Sequence, residues 1–420
     1  MSEFLAFDGL EYDTATAGAL CRLLAPPYDA ISPRLRSELA GGSPYNVVHV
    51  TLGEPADGLD RYQAAGRLVR RWRQEGALVR GGRAFYLLEQ RFERGGESLV
   101  RTAIIGHVRL GPWGASGIYP HEVTLSKPKE DRLKLYCATQ LQPGPVFLLF
   151  EEKDSRVYDY MRQLSQAPPS HTARGPEGAD DRIWKITDAA TIASLEESLA
   201  GKRFFVADGH HRYETALAYR DHVASCGRLP ADHPANFVLA AAVSFSDPGL
   251  CILPTHRLLH LQDPARLPGA LDTLEKDYRI EPAGRMDSSA DRGLSPGTIA
   301  LYTPGRWRLL RLKDEARDRL SAGVGAAAAR LNVIEVRYCI LEKFFDDVDA
   351  AVADERIRYT HDIDEALRQV DSHSSEAAVI LSAIQVSDMA AAAIAGELMP
   401  PKSTYFFPKI PTGIVQKPLE

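Results

Sequence analysis

Phe204-Phe205-Val206-Ala207-Asp208-Gly209-His210-His211-Arg212-Tyr213-Glu214-Thr215-Ala216-Leu217 is the run on which the reading of this chain turns. From Arg203 to Val206 it is aromatic and β-branched, which predicts a buried strand. From Arg212 onward, Tyr213, Ala216, Leu217 and Tyr219 recur at helical spacing. A strand that turns on glycine into a helix presents backbone N–H groups and the positive end of the helix dipole, which suits an anion. Asp-Gly alone is an ordinary turn dipeptide, with Asp208 a helix cap and Arg212 a solvated first-turn residue. Two imidazoles and a guanidinium directly behind a hydrophobic strand point instead to a site.

The chain has 420 residues, above the size at which single cores stop growing, so two or more domains are expected. An apolar content of 45% with 25% charged residues is ordinary for a soluble globular protein. The net charge of −6 gives no electrostatic footprint for nucleic acid or an anionic membrane. Cys21, Cys137, Cys226, Cys251 and Cys339 are scattered without a C-x-x-C pair, against a zinc ribbon or a disulfide framework. Met1-Ser2-Glu3-Phe4 lacks the features of a signal peptide, and the Ala-rich stretch at 389–395 is too short to span a bilayer. These features predict a soluble cytoplasmic protein with no nucleic-acid or membrane partner; oligomeric state is not readable.

Along the chain, Ala25-Pro26-Pro27-Tyr28-Asp29 holds Tyr28 and Asp29 in a rigid presentation, as a plain turn or as part of a site. Residues 56–79 read as an amphipathic helix and its arginines as a solvated face; Phe85 to Phe92 and Leu99 to Leu110 read as a hairpin. The stretch Ile118 to Arg132 packs His121, Glu122, Thr124, Ser126, Lys127, Lys129 and Arg132 into a dozen or so positions. Pro120 and Pro128 argue that Thr124 to Lys129 is at least partly loop, followed by a helix over 133–142 and a strand over 145–150. Residues 166–182 read as an exposed hairpin tip or linker, 189–199 as a helix, and 237–245 and 250–257 as strands. Further on come a helix at 264–277, a Ser/Gly-rich loop at 285–296, a hairpin over 298–312, a helix at 331–345 and a small α/β piece to 396. The tail, with Tyr405, Phe406 and Phe407 together, is too aromatic for disorder and is expected to dock, bringing Lys402, Ser403 and Thr404 to a site.

A carboxylate base, a second carboxylate able to hold Mg²⁺, and several cations are the parts phosphoryl transfer needs, because positioning and charge neutralisation supply most of its rate. Neither G-x-x-x-x-G-K-[ST] nor the protein-kinase motif set is present. Zinc is the competing reading of His121, Glu122, Asp208, His210 and His211, against which stand the adjacent histidines and the lack of H-E-x-x-H.

Asp208 to Tyr213 followed by Ala216 resembles the phosphate-binding box of the ParB/sulfiredoxin superfamily. Pro120-His121-Glu122 upstream of Asp208-Gly209-His210-His211-Arg212 is similar to the motif pair of that superfamily's free-serine kinases. Nearly the whole chain also resembles a bacterial family known as domain of unknown function 1015. That likeness rests on Pro26-Pro27-Tyr28-Asp29, the Pro120 to Arg132 loop, the Asp208 to Arg212 motif and the tail Met399 to Phe406. The resemblance implies an α+β fold with a ParB/sulfiredoxin-like core at 85–260, an N-terminal α/β extension at 1–84 and a C-terminal α/β domain at 261–420. The residues between the two motifs would fold as an insertion. It also implies a kinase acting on a hydroxyl, foremost that of free L-serine, with ATP, ADP or pyrophosphate as donor and Mg²⁺ as cofactor. Glu122 would be the base, Asp208 would position metal or acceptor, and His211 would share the catalytic centre. Gly209, His210 and Arg212 would bind phosphate, with Lys127, Lys129 and Arg132 beside them. His121, Thr124, Tyr28, Asp29, Lys402, Ser403 and Thr404 would line the substrate. A nucleotide-binding regulator without catalysis and a metal-dependent hydrolase are the other two classes the residues allow.

Overall fold

Phe204, Phe205 and Val206 have no exposed surface, and burying each stabilises the fold by about 1.5–3 kcal/mol. In the computed structural model, which describes residues 2–123, 126–284, 294 and 298–420 without the side chains of 126–128, these residues lie near one edge of a ten-stranded sheet. In chain order its strands are β1 (Phe4–Leu5), β2 (Phe7–Tyr12), β3 (Leu78–Arg94), β4 (Glu97–Arg109) and β5 (Ile118–Tyr119). After β6 (Leu141–Gln142), which lies outside this sheet, come β7 (Val146–Phe150), β8 (His171–Arg174), β9 (Asp180–Ile186), β10 (Phe204–Asp208) and β11 (Phe237–Ser244). The order across the sheet is β5-β10-β7-β11-β4-β3-β9-β8, with β1 also on β4 and β2 also on β3. β5 runs parallel to β10, with Tyr119 abreast of Phe205, and β7 runs antiparallel to β10 on its other side.

The helices beside this sheet include α1 (Arg61–Gln74), α2 (Ser126–Thr139), α3 (Arg156–Leu164), α4 (Ala189–Leu199) and α5 (His210–Cys226), together with the helix Pro33–Gly42 and the single turns Thr14–Ala17 and Val48–Thr51. Tyr213, Ala216 and Tyr219 of α5 and Ile192, Leu195 and Leu199 of α4 enter one core with Phe85, Ile104, Phe150 and Phe204 of the sheet. The first compact unit comprises Met1–Pro120, Thr124–Leu250 and Pro408–Glu420; the second comprises His121–Val123 and Cys251–Phe407.

The second unit has its own antiparallel sheet. Its strands are β13 (His256–Leu259), β14 (Tyr278–Ala283), β15 (Thr298–Thr303), β16 (Arg306–Leu312), β17 (Ile357–Thr360) and β18 (Ala377–Ile380), in the order β14-β16-β15-β18-β13-β17. A separate ribbon pairs β12 (Cys251–Leu253) with β19 (Tyr405–Phe407). Leu258, Ala300, Tyr302, Trp307 and Ile380 pack with Ile363, Ala366 and Val370 of the helix Ile363–Asp371. No helix among the described residues is long and apolar enough to cross a membrane.

Several elements differ from the sequence expectation for identifiable reasons. β1 and β2 pair with β4 and β3, so residues 1–84 build into the same sheet instead of standing apart. The residues between Glu122 and Asp208 are not a separable insertion, because β7 lies between β10 and β11. α1 is shorter than 56–79 because Asp60 and Gln63 form a reciprocal capping box that fixes its start. α2 begins at Ser126, since a proline in the first turn removes only an N–H that would have no helical partner. Residues 166–182, read as an exposed hairpin tip or linker, form a hairpin whose paired strands β8 and β9 reach further into the stretch than a bare tip would. Pro254 splits 250–257 into β12 and β13, which belong to different sheets. The helix at 331–345 is interrupted by a wide turn over Val336–Leu341. The Ser/Gly-rich loop at 285–296 falls, apart from Leu294, outside the described residues.

Candidate functional site

The register of β10 on β7 shifts between Val206 and Asp208, a bulge that re-aims the strand end. Gly209 follows at φ +93°, in the left-handed region, and its carbonyl accepts the first helical bond of α5 from Tyr213 N at 3.0 Å. A Cβ at position 209 would stand 2.8 Å from Arg212 Nε and 2.9 Å from its Cζ, so the guanidinium lies directly on the turn. His210 is buried and His211 half-buried in the first turn of α5.

Arg212 is 6% exposed; its Nη1 donates to the Pro145 carbonyl, and its Nη2 stands 3.4 Å from Asp208 Oδ2. That Nη2 has no hydrogen-bond partner among the described residues, which is unusual for a buried guanidinium. A small pocket of about 20 Å³ adjoins it, walled by Tyr28, Thr51, Arg132, Tyr136, Gly144 and Thr412 among others. Such a volume holds about one water molecule.

Burial works to raise the Asp208 carboxyl, but Lys409, Arg212 and His210 outweigh it and bring it down to about 2. Lys409 Nζ is 3.3 Å from Asp208 Oδ2 and only 11% of its side chain is exposed. Lys409 is not among the residues that the sequence assigns to a site. A hard divalent cation takes several oxygen ligands. Asp208 instead faces ammonium and guanidinium groups, and no group of three or more His, Cys, Asp or Glu is placed to hold a metal among the described residues. Mg²⁺ at Asp208 does not fit these residues, nor does the zinc alternative.

Within the second unit, Glu122 Oε1 accepts from Ser403 N at 3.0 Å, Thr404 N at 3.2 Å and Thr404 Oγ1 at 3.3 Å. Lys402, at φ +64°, makes the turn that converges the two amides on the carboxylate. Buried His121 places Nε2 at 2.9 Å from Thr404 Oγ1 and 3.5 Å from Glu122. The sequence reading also passed over Arg257: it is 4% exposed, lies over the Tyr359 ring at 5.2 Å, and burial lowers it to about 10 against the opposing charges of Tyr359 and Glu122.

Other expected contacts are committed elsewhere. Arg132 turns inward, with Nη1 on the Thr51 carbonyl at 2.7 Å, the Asp131 carboxylate beside it and the Tyr28 ring at 4.3 Å. Lys129 pairs with Glu214 at 2.6 Å. Asp29 and Lys402 are exposed. Thr124 and the Lys127 side chain lie outside the described residues.

The model of the family described as "Protein of unknown function (DUF1015)" matches residues 4–334. No curated protein matches the chain significantly. Among solved structures, a mutant free serine kinase in complex with AMP is 11% identical, covering 71% of this chain and 89% of its own, with a TM-score of 0.37. A conserved hypothetical protein from Pyrococcus furiosus is 13% identical over 70% of this chain and 90% of its own, at 0.34. C-terminally truncated SbnI from Staphylococcus aureus is 12% identical over 75% and 87%, at 0.36. Similarity at this level assigns no activity.

Proposed function

We propose that this chain, which belongs to the family described as protein of unknown function (DUF1015), is a small-molecule kinase with a ParB/sulfiredoxin-like core that transfers a phosphoryl group to a hydroxyl, foremost that of free L-serine. The observation carrying this reading is the turn at 208–212: a left-handed glycine, the N-terminus of a seventeen-residue helix and a buried guanidinium whose Nη2 makes no hydrogen bond among the described residues and has only the Asp208 carboxylate beside it. Helix-end amides and fixed cations suit a phosphoryl group in transfer.

In this reading Glu122 takes the proton of the acceptor hydroxyl, whose oxygen attacks the terminal phosphorus of ATP, ADP or pyrophosphate. The bond from that phosphorus to the bridging oxygen breaks, and its electron pair leaves with the departing phosphate. Arg212, His210 and His211 meet the charge that develops. The donors from Ser403 and Thr404 fix the orientation of the Glu122 carboxylate, which general-base work requires.

The test crosses ATP, ADP and pyrophosphate with L-serine and other small hydroxyl compounds, with and without Mg²⁺, for wild type and Glu122→Gln. Phosphoserine from wild type and a rate at least about 100-fold lower from Glu122→Gln is the expected result. Absence of product with every donor and acceptor sinks the kinase reading. The second reading, a nucleotide-binding regulator, has one observation in its favour: the same three donors make Glu122 a sufficient anchor for the 403–404 segment. It expects ADP to raise the melting temperature of wild type and Glu122→Gln equally, without turnover.

A further inference from the structure

We infer that Lys409 is a further phosphate-binding residue, and that Asp208 serves as the positioning residue that holds its ammonium beside Arg212 at the start of α5. The inference rests on the phosphate-site reading of the 208–212 turn and assigns Asp208 a different task from metal binding.

The first argument is how the chain is fixed at position 409. Lys409 N donates to Glu177 Oε2, and the Lys409 carbonyl accepts from Gln90 Nε2 at 3.4 Å. The preceding carbonyl, that of Pro408, accepts from Arg101 Nη2. Arg101 is fully buried, lies over the Phe147 ring at 4.9 Å and also donates to Gln90 Oε1, while Gln90 Nε2 donates to Asp181 at 3.1 Å. Buried polar side chains of β3 and β4, Gln90 and Arg101, thus hold the two peptides that flank the Lys409 Cα, with Asp181 of β9 behind Gln90. Buried polar networks of this kind are costly unless satisfied, and they fix a unique backbone position. What this arrangement delivers to the site is the side chain of Lys409.

The second argument is charge. Asp208 carries one negative charge against the fixed cations of Lys409, at 3.3 Å, and Arg212, at 3.4 Å. Asp208 thus stands between two cations at a helix end that itself favours anions. The low pKa of Asp208 makes it a poor proton acceptor at neutral pH, in keeping with a structural anion and not a base. An incoming phosphate group would meet two cations with no ordering cost at the moment of binding. A nucleotide that arrives with its own Mg²⁺ is compatible with this arrangement, since the ion would be held by its phosphates.

The terminal phosphate of a nucleotide and free pyrophosphate share this chemistry, so calorimetric titrations use ADP, ATP and pyrophosphate separately, in EDTA and in Mg²⁺. Wild type, Lys409→Met, Lys409→Arg and Asp208→Asn are compared. The expectation is at least a 10-fold weaker Kd for Lys409→Met in EDTA, a value within about threefold of wild type for Lys409→Arg, and a loss of about one unit from the slope of log Kd against log salt in Lys409→Met. Asp208→Asn removes the anchor of the lysine together with a carboxylate that repels the anion, so it is read through coupling: Lys409→Met costs less affinity in the Asp208→Asn background than in wild type. If Lys409→Met fails to fold, Lys409→Gln takes its place in both comparisons, and equal cost in the two backgrounds overturns the positioning role of Asp208. The inference is also overturned if Lys409→Met binds all three anions as wild type does, or if wild type binds none. Lys409-dependent pyrophosphate binding without phosphorylation of any acceptor keeps the inference and removes the kinase; turnover indifferent to Lys409 does the reverse.

Discussion

At Gly209 one hydrogen atom in place of a methyl group decides whether the turn can exist. The backbone sits at φ +93°, and an added Cβ would collide with the Arg212 guanidinium at 2.8–2.9 Å. Gly209→Ala is expected to cost about 1–3 kcal/mol and to weaken pyrophosphate binding at the same time. Urea denaturation and calorimetry on the same preparation check both; a stable variant with normal binding would show that the turn tolerates a side chain. The strand end, glycine turn and helix start at Asp208 to Arg212 were legible because residue type and chain position coincide there. Lys409 was not, because its partner lies about two hundred positions earlier and a lysine in a Phe-Phe-Pro-Lys run carries no local mark of burial. Arg132 looked like a phosphate ligand amid a basic loop, yet the Thr51 carbonyl, Asp131 and the Tyr28 ring engage it, and none of these is adjacent in a linear reading except Asp131.

Among elements, α5 ties the turn to the core. Its Tyr213 hydroxyl donates to the Gly111 carbonyl at 2.9 Å and accepts from Gly111 N at 3.2 Å, while the ring stacks on Trp113 at 4.2 Å. Tyr213→Phe leaves both backbone groups of Gly111 without that partner, so a loss of about 1–3 kcal/mol is expected, read from the urea midpoint followed by circular dichroism. β10 and α5 were readable because hydrophobic runs and 3.6-residue spacing are local properties. The elements misread are those whose limits depend on pairing. Pro254 ends β12 and lets the chain change sheets, which no periodicity signals, and β8 and β9 are polar enough at 166–182 to look like a linker until they lie beside β3. Pro128 was weighed as a helix breaker, although the first turn is where proline does no harm.

For the molecule as a whole, the C-terminal segment Pro408–Glu420 belongs with residues from the start of the chain. Leu419 lies in the first core, Gln416 bridges to Leu10, and Lys417 and Pro418 pair with β6. Lys417 is 2% exposed, donates to the Pro234 carbonyl at 2.7 Å and has His107 as a charge neighbour; burial brings its ammonium down to about 7 from 10.5. Between those values the unfolded chain holds a proton that the folded chain lacks, so this residue makes stability rise from about pH 7 to about pH 10. Lys417→Met should flatten that rise, and urea midpoints at pH 7 and pH 9.5 measure it; an unchanged slope would show that the ammonium stays charged when buried. The segment's position has a further consequence for synthesis. A ribosome adding about 5–20 residues per second needs on the order of ten to thirty seconds to pass from Cys251 to Phe407. Throughout that interval the nascent first unit lacks Lys409, so the ion pair that Asp208 makes with it waits until the whole second unit has been synthesised.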